Sequence, residues 1–168
     1  SSHSGNISVR HGNKIFIKKH GTMMGSLSED DIVEISLVDQ KNYDIASSEV
    51  YSHVEIYKNT ESNAIIHAHT IYAIVLSISE NTDRIVPVDA EGKYYLKYIP
   101  VIDIENPVAS KELAMSLGYV MKEHKMAVVK GHGTFARGKD LGEALKNLTL
   151  VESISKIIYL NKVYKNSL

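Results

Sequence analysis

Residues 63–69 run Asn-Ala-Ile-Ile-His-Ala-His, and this apolar stretch closing on a His-x-His pair restricts the fold more than any other feature of the chain. Its content predicts a strand. Side chains on a strand alternate between faces, so His67 and His69 point the same way and their imidazoles can converge on one ion. Residues 126–130, Met-Ala-Val-Val-Lys, predict a second buried strand, and Gly131-His132-Gly133 stands just past its end. A loop at a strand end, with glycine on each side, suits a third ligand. Three protein ligands plus one exchangeable position is the catalytic rather than the structural pattern for zinc. Chance placement of the 8 histidines in 168 residues gives roughly 0.4 His-x-His pairs. The pair alone is therefore equally open to a reading as two histidines sharing a strand by accident.

Composition narrows the chemistry. Cysteine is absent, which removes disulfides, thiolate metal sites and cysteine nucleophiles together. Any transition metal must be held by His, Asp or Glu. A formal charge of −1 argues against broad binding of nucleic acid or anionic membrane. No run approaches the roughly 18 apolar residues that a membrane span requires, and no signal peptide is evident, so a cytoplasmic protein is expected. Residues 1–168 are expected to form one domain with a substantial core, and further residues are expected before Ser1.

Residues 6–10 and 14–18 alternate polar and apolar around Gly12-Asn13, the pattern of a β-hairpin. Residues 32–37 predict a third strand. Ser47-Ser48-Glu49 opens a predicted helix running to about residue 59, with serine as the cap and Val50, Val54 and Tyr57 on one face. The strand bearing His67 and His69 follows, then a helix through about residue 79. Residues 84–102 are expected to hold turns and short strands. Helices are predicted over about 109–123 and about 141–161, the latter with Leu141, Leu145, Leu148, Val151 and Ile154 at helical spacing. A hairpin-rich sheet with interspersed helices predicts an α/β fold: a three-layer α/β/α arrangement around a central, mostly antiparallel sheet.

Four motifs in order, Ser4-Gly5-Asn6-Ile7-Ser8-Val9-Arg10, Ser47-Ser48-Glu49, His67-Ala68-His69 and Gly131-His132-Gly133, resemble the class II sugar-phosphate aldolase family of the fuculose-1-phosphate aldolase type, and the resemblance covers nearly the whole chain. The family also includes ribulose-5-phosphate 4-epimerases, methylthioribulose-1-phosphate dehydratases and the adducin head. The resemblance implies zinc or another divalent transition ion on His67, His69 and His132. It makes Glu49 the catalytic acid/base, able to take the fourth metal position when substrate is absent. It assigns Asn6, Gly21, Ser47 and Ser48 to a substrate phosphate pocket, and it implies a homotetramer. The implied reaction is reversible cleavage of a ketose 1-phosphate, through a metal-stabilised enediolate, to dihydroxyacetone phosphate and an aldehyde.

Elementary physics supports parts of this. A helix start favours an anion through free N–H groups and the dipole, although Ser-Ser-Glu also reads simply as a helix cap. Gly5 and Gly21 are expected to let backbone approach closely. Glu49 by itself is a first-turn glutamate in solvent; as a base it would take a proton from the carbon beside a carbonyl. His53 lies one turn after Glu49 and is expected to pair with it. His11 and His124 read as surface residues. His3 and His20 stand where the aldolases are expected to carry small hydroxyl residues, so two imidazoles would border the phosphate pocket. Asp89 stands where the family uses a tyrosine, with Tyr94 and Tyr95 close by, and Tyr159 and Tyr164 lie near the end of the chain. No residue suggests itself as the proton donor to the leaving aldehyde. Glu49 favours an aldolase over the epimerase, for which aspartate is expected; the dehydratase, the epimerase and an inactive structural domain are the competing readings.

Overall fold

The computed structural model describes residues 4–167. The expected hairpin forms from β1 (Asn6–His11) and β2 (Lys14–Lys18), which pair antiparallel around Gly12 at φ 60°. The third strand, β3 (Ile32–Ser36), pairs with β2. Then follow α1 (Val50–Asn59), β4 (Ala64–Ala68), α2 (Ile71–Ser79), β5 (Arg84–Ile85), α3 (Ala90–Tyr95) and β6 (Ile99–Ile102). The chain continues through α4 (Lys111–Val120), β7 (Met126–Val129), β8 (Gly133–Gly138) and α5 (Leu141–Asn166). One sheet of order β3-β2-β1-β4-β8-β7-β6-β5 results, antiparallel throughout except between β6 and β7.

Helices cover both faces, as the three-layer expectation required. Strand alternation divides the core in two. Ile65, Ala127, Val129 and Phe135 turn to the layer of α1 and α4, with Ile15, Ile17, Val54, Tyr57, Leu113 and Leu117. Ile66, Met126, Val128 and Ala136 turn to the layer of α2 and α5, with Leu76, Val151 and Ile154. β4 and β7 are buried on both faces, which is why their sequences read as continuous apolar runs rather than alternating ones. No helix among the described residues is long and apolar enough to cross a membrane.

Several boundaries differ from expectation. β8 is an unexpected strand: Gly-Thr-Phe-Ala-Arg-Gly is short, mixed in polarity and bounded by glycines, yet it lies between β4 and β7 in the middle of the sheet. The first helix starts at Val50, not at Ser47, and its N-cap is Glu49 with no side-chain capping bond. α4 starts at Lys111 because Ala109 sits at φ 48° and Ser110 caps, accepting from the Leu113 N–H at 2.9 Å. A short helix, α3, occupies part of the region expected to hold turns and strands, its start capped by Asp89. The last helix runs on to Asn166.

Candidate metal centre and anion pocket

β4 ends at Ala68, so His69 lies one residue beyond the strand that was expected to contain it. The two rings still converge, with centroids 5.2 Å apart. His132 completes the triangle at 4.6 Å from His67 and 5.1 Å from His69. The candidate donor nitrogens of the three residues all lie within 4.8 Å of one another.

Close backbone packing makes this convergence possible. His132 sits in the tight β7–β8 connection, its N–H bonded to the Val129 carbonyl at 3.0 Å, and Gly131 turns at φ 71°. A Cβ on Gly133 would stand 2.6 Å from the Ala68 carbonyl oxygen and 3.1 Å from His67 Cε1. A Cβ on Gly5 would stand 2.6 Å from the His67 carbonyl oxygen. Glycine at both positions is what allows β1 and the His132 turn to crowd against the end of β4. Beyond His69, Glu152 of α5 accepts the Tyr72 and Ala73 N–H groups and so caps the start of α2.

The protonation of His67 suits a cation. Its Nδ1–H donates to the Thr134 carbonyl at 3.0 Å, which leaves the Nε2 lone pair free. That Nε2 is buried and has no hydrogen-bond partner among the described residues, and the same holds for His132 Nδ1. Phe135 stacks on the His67 ring at 4.1 Å and holds its plane. Burial, and then the His132 and His69 rings, push the His67 pKa well below its ordinary value. Burial likewise lowers His69 and His132, the latter offset in part by the Pro107 carbonyl. Three neutral imidazoles around an unsatisfied buried nitrogen are the donor set that a divalent transition ion requires, so the residues fit such an ion.

Glu49 lies beside the triad, its Oε1 3.9 Å from His132 Nε2. Both oxygens are held: Oε1 accepts the Ala109 N–H at 3.0 Å and Oε2 accepts the Ser52 hydroxyl at 2.9 Å. The left-handed φ of Ala109, which costs an ordinary residue about 1 kcal/mol, belongs to the turn that brings this N–H to the carboxylate. Glu49 is only 3% exposed, and burial raises its pKa against the lowering effect of both hydrogen bonds and of His69. A carboxylate made more basic in this way suits proton transfer.

A cavity of about 370 Å3 joins Glu49, His67 and His69 to Asn6, Gly21, Ser47 and Ser48. Every residue expected to bind metal, phosphate or the transferred proton is thus gathered at one place, with His132 adjoining through the triad. A Cβ on Gly21 would meet no protein atom within 4 Å, and its φ of 77° lies in the region that favours glycine. His20 lines the cavity, while His3 lies outside the described residues. Lys18, which no sequence pattern singles out, also lines it at 3% exposure. The only hydrogen bond of its ammonium among the described residues is a long one, 3.3 Å to the Lys19 carbonyl. Burial lowers its pKa, with Asp31 offsetting in part. A lysine at the polar end of a strand reads as solvated, and nothing local in the sequence contradicts that.

His53 does not pair with Glu49. It is fully buried and bonded instead to Ser8 and Asn6, and the partner of Glu49 in α1 is Ser52. Asp89 caps α3, accepting from Gly92 at 2.8 Å. Tyr94, Tyr95, Tyr159 and Tyr164 are exposed and do not line the cavity.

Comparisons with known proteins identify the family and the fold. The family model described as "Class II Aldolase and Adducin N-terminal domain" matches residues 1–159. An L-fuculose phosphate aldolase of Methanocaldococcus jannaschii is 32% identical over 163 residues, covering 96% of this chain and 87% of that protein. A 3-oxo-tetronate 4-phosphate decarboxylase of Haemophilus influenzae is 28% identical, over 93% of this chain and 77% of its own length. The crystal structure of L-fuculose-1-phosphate aldolase from Thermus thermophilus superposes with a TM-score of 0.93 at 32% identity, covering 100% of this chain and 88% of that one.

Proposed function

This chain belongs to the Class II Aldolase and Adducin N-terminal domain family, and on that premise we propose that it is a metal-dependent aldolase that reversibly cleaves a ketose 1-phosphate to dihydroxyacetone phosphate and an aldehyde. The observation that carries the proposal is the Glu49 carboxylate, buried and raised in pKa, 3.9 Å from His132 of a triad of neutral imidazoles, in a cavity also lined by Asn6, Ser47, Ser48 and Lys18. His67, His69 and His132 would hold the ion, with zinc the first choice for three imidazoles and other divalent transition ions acceptable. A bound ion supplies Lewis acidity toward the substrate's carbonyl and hydroxyl oxygens and steadies the negative charge that develops on them.

The remaining work falls to the chain itself. In the condensation direction Glu49 takes a proton from C3 of dihydroxyacetone phosphate, the electron pair left on C3 forms the bond to the aldehyde carbon, and the carbonyl π pair passes to the aldehyde oxygen, which takes a proton from water. In the cleavage direction the C4 hydroxyl gives its proton to water, its oxygen pair forms the aldehyde carbonyl as the C3–C4 bond breaks with its pair passing to C3, and protonated Glu49 returns a proton to C3. Ala109 N–H and the Ser52 hydroxyl keep the carboxylate aimed in both directions. Asn6, Ser47, Ser48 and the Gly21 loop bind the phosphate as hydrogen-bond donors, and Lys18 adds a cation to that end. The proposal keeps the homotetramer and the cytoplasm as its expectations; α5 leaves Leu160, Val163 and Tyr164 exposed for a second copy to cover.

Proton exchange tests it. Zinc-loaded protein in heavy water should exchange the C3 proton of dihydroxyacetone phosphate, followed by NMR, and Glu49→Gln or metal removal should stop the exchange. A zinc-loaded protein that exchanges nothing would rule out the aldolase and turn attention to elimination or decarboxylation.

A further inference from the structure

Behind the cavity, on the α1 face of the sheet, a chain of buried polar groups runs from Tyr57 through Ser8 and His53 to Asn6. Tyr57 Oη lies 2.8 Å from Ser8 Oγ, Ser8 Oγ lies 2.6 Å from His53 Nδ1, and His53 Nε2 lies 2.5 Å from Asn6 Oδ1. The register of β1 against β4 sets Asn6 opposite His67 and Ser8 opposite Ile65, so both project toward α1. Nothing assigned so far uses His53, although it is completely buried.

The direction of each hydrogen bond follows from one end. Asn6 Oδ1 can only accept, so His53 Nε2–H donates to it. His53 is neutral, its pKa lowered to about 3 by burial. The neutral ring's Nδ1 then accepts the Ser8 proton, and Ser8 Oγ, its own proton used, can only accept from the Tyr57 hydroxyl. Burial keeps that phenol protonated, its pKa pushed up. The amide of Asn6 is then turned with its carbonyl to the protein and its NH2 to the cavity. Asn6 Nδ2 has no partner among the described residues, and Asn6 lines the cavity.

We infer that His53 is a positioning residue that presents the Asn6 amide to the substrate as a donor and never as an acceptor, and so tunes the pocket for an anionic oxygen. The inference rests on the proposed anion pocket. A free asparagine amide can turn by 180° and offer its oxygen, which would repel a phosphate. One tethered through Oδ1 has only its NH2 to offer, and the cost of orienting it has been met in folding.

A double-mutant cycle on zinc-loaded protein tests this, with Kd for inorganic phosphate and for dihydroxyacetone phosphate measured by calorimetry. Asn6→Ala should weaken both about tenfold, the effect of one hydrogen bond to a charged group. His53→Leu should weaken them severalfold with zinc content unchanged. Asn6→Ala/His53→Leu should be no worse than Asn6→Ala, because a removed amide cannot be misaligned. His53→Gln, whose Nε2–H reaches a similar place, should recover most of the affinity. Additive losses in the double variant, or failure of His53→Gln to recover in a protein that melts like wild type, would overturn the inference and leave His53 as packing. A normal phosphate Kd in Asn6→Ala would instead show that the anion pocket itself is misassigned.

Discussion

The two ends of the cavity are built by different means. The histidine corner is made by close approach: β4, β1 and the β7–β8 turn touch through Gly5 and Gly133, and the donors are set by backbone geometry. The proposed anion end is made by side chains on a strand, two loops and the entry to α1, with Asn6 held through a buried network and the Lys18 ammonium held by one long bond. Crowded backbone fixes atoms to the precision that a metal demands, whereas an anion tolerates several donors at looser distances. Damage at the first end should therefore be abrupt, and damage at the second graded.

The largest effect is expected where the two ends meet. Glu49→Gln retains the fold, the triad and an oxygen for the Ala109 N–H, with the Ser52 hydroxyl turned to accept from the new NH2, but cannot accept a proton. Turnover should fall by about 10³-fold or more, with zinc content near wild type. Near-normal turnover in that variant would remove Glu49 from the chemistry and leave it as a polar filler beside His132.

Next, Gly133→Ala separates crowding from conformation. Its Cβ would press on the Ala68 carbonyl at 2.6 Å, at a stability cost of about 1–3 kcal/mol, and should weaken zinc binding at least tenfold by displacing His132. Gly21→Ala meets open space and is opposed only by its φ of 77°, about 1 kcal/mol; zinc binding should be untouched and phosphate binding modestly reduced. Equal loss of zinc in both variants, by competition with a chelating dye, would break the contrast between the two ends.

Acid probes the triad and His53 together. Folding lowers the pKa values of His53, His67, His69 and His132 below the ordinary 6.5, His53 to about 3. Below pH 6.5 the unfolded chain takes up protons that the folded chain refuses, so stability falls as pH falls. From His53 alone the loss is about 1.4 kcal/mol per pH unit down to pH 3, or about 2 kcal/mol between pH 6.5 and 5. Glu49 acts oppositely, since its raised pKa lets the folded state keep a proton longer, but one carboxylate stands against several imidazoles. Urea unfolding of metal-free protein should show this slope, and a flat profile from pH 7 to 5 would mean that these rings are not held neutral.

The same contrast governs what can be read from the sequence. The triad is legible because a two-residue spacing on an apolar run and glycines around a lone histidine are local patterns, and their order among four motifs carries what neither pattern carries alone. The outer hairpin and the long helix are legible for the same reason. β8 is hidden because its ends are glycines that serve close packing, against Ala68 at Gly133 and against Ala144 at Gly138, and a glycine-bounded hexapeptide reads as loop. Helical spacing pairs His53 with Glu49, its neighbour on the helix, whereas its partners stand 45 and 47 residues away. The N–H that holds Glu49 comes from Ala109, a left-handed alanine that no local signal distinguishes. In each case the missing information is a long-range contact.

The smallest effects belong to the two bases at the anion end, and they are unequal. Lys18 is buried against the cavity, so its charge acts through little water; His20 is exposed, and water and salt screen it. Lys18→Met, which keeps the aliphatic stem, should weaken phosphate about tenfold at low ionic strength and leave zinc content unchanged. His20→Ala should cost about twofold. The lowered pKa of Lys18 gives this a second signature. The ammonium is charged below its folded pKa, so its contribution to phosphate affinity is full near neutrality and disappears on the alkaline side earlier than an ordinary lysine would allow. Titration of phosphate affinity from pH 7 to about 10.5, the ordinary lysine range, should show that loss in wild type and a flatter curve in Lys18→Met. Coincident curves would assign the anion end to neutral donors alone, with Lys18 facing the cavity without acting in it.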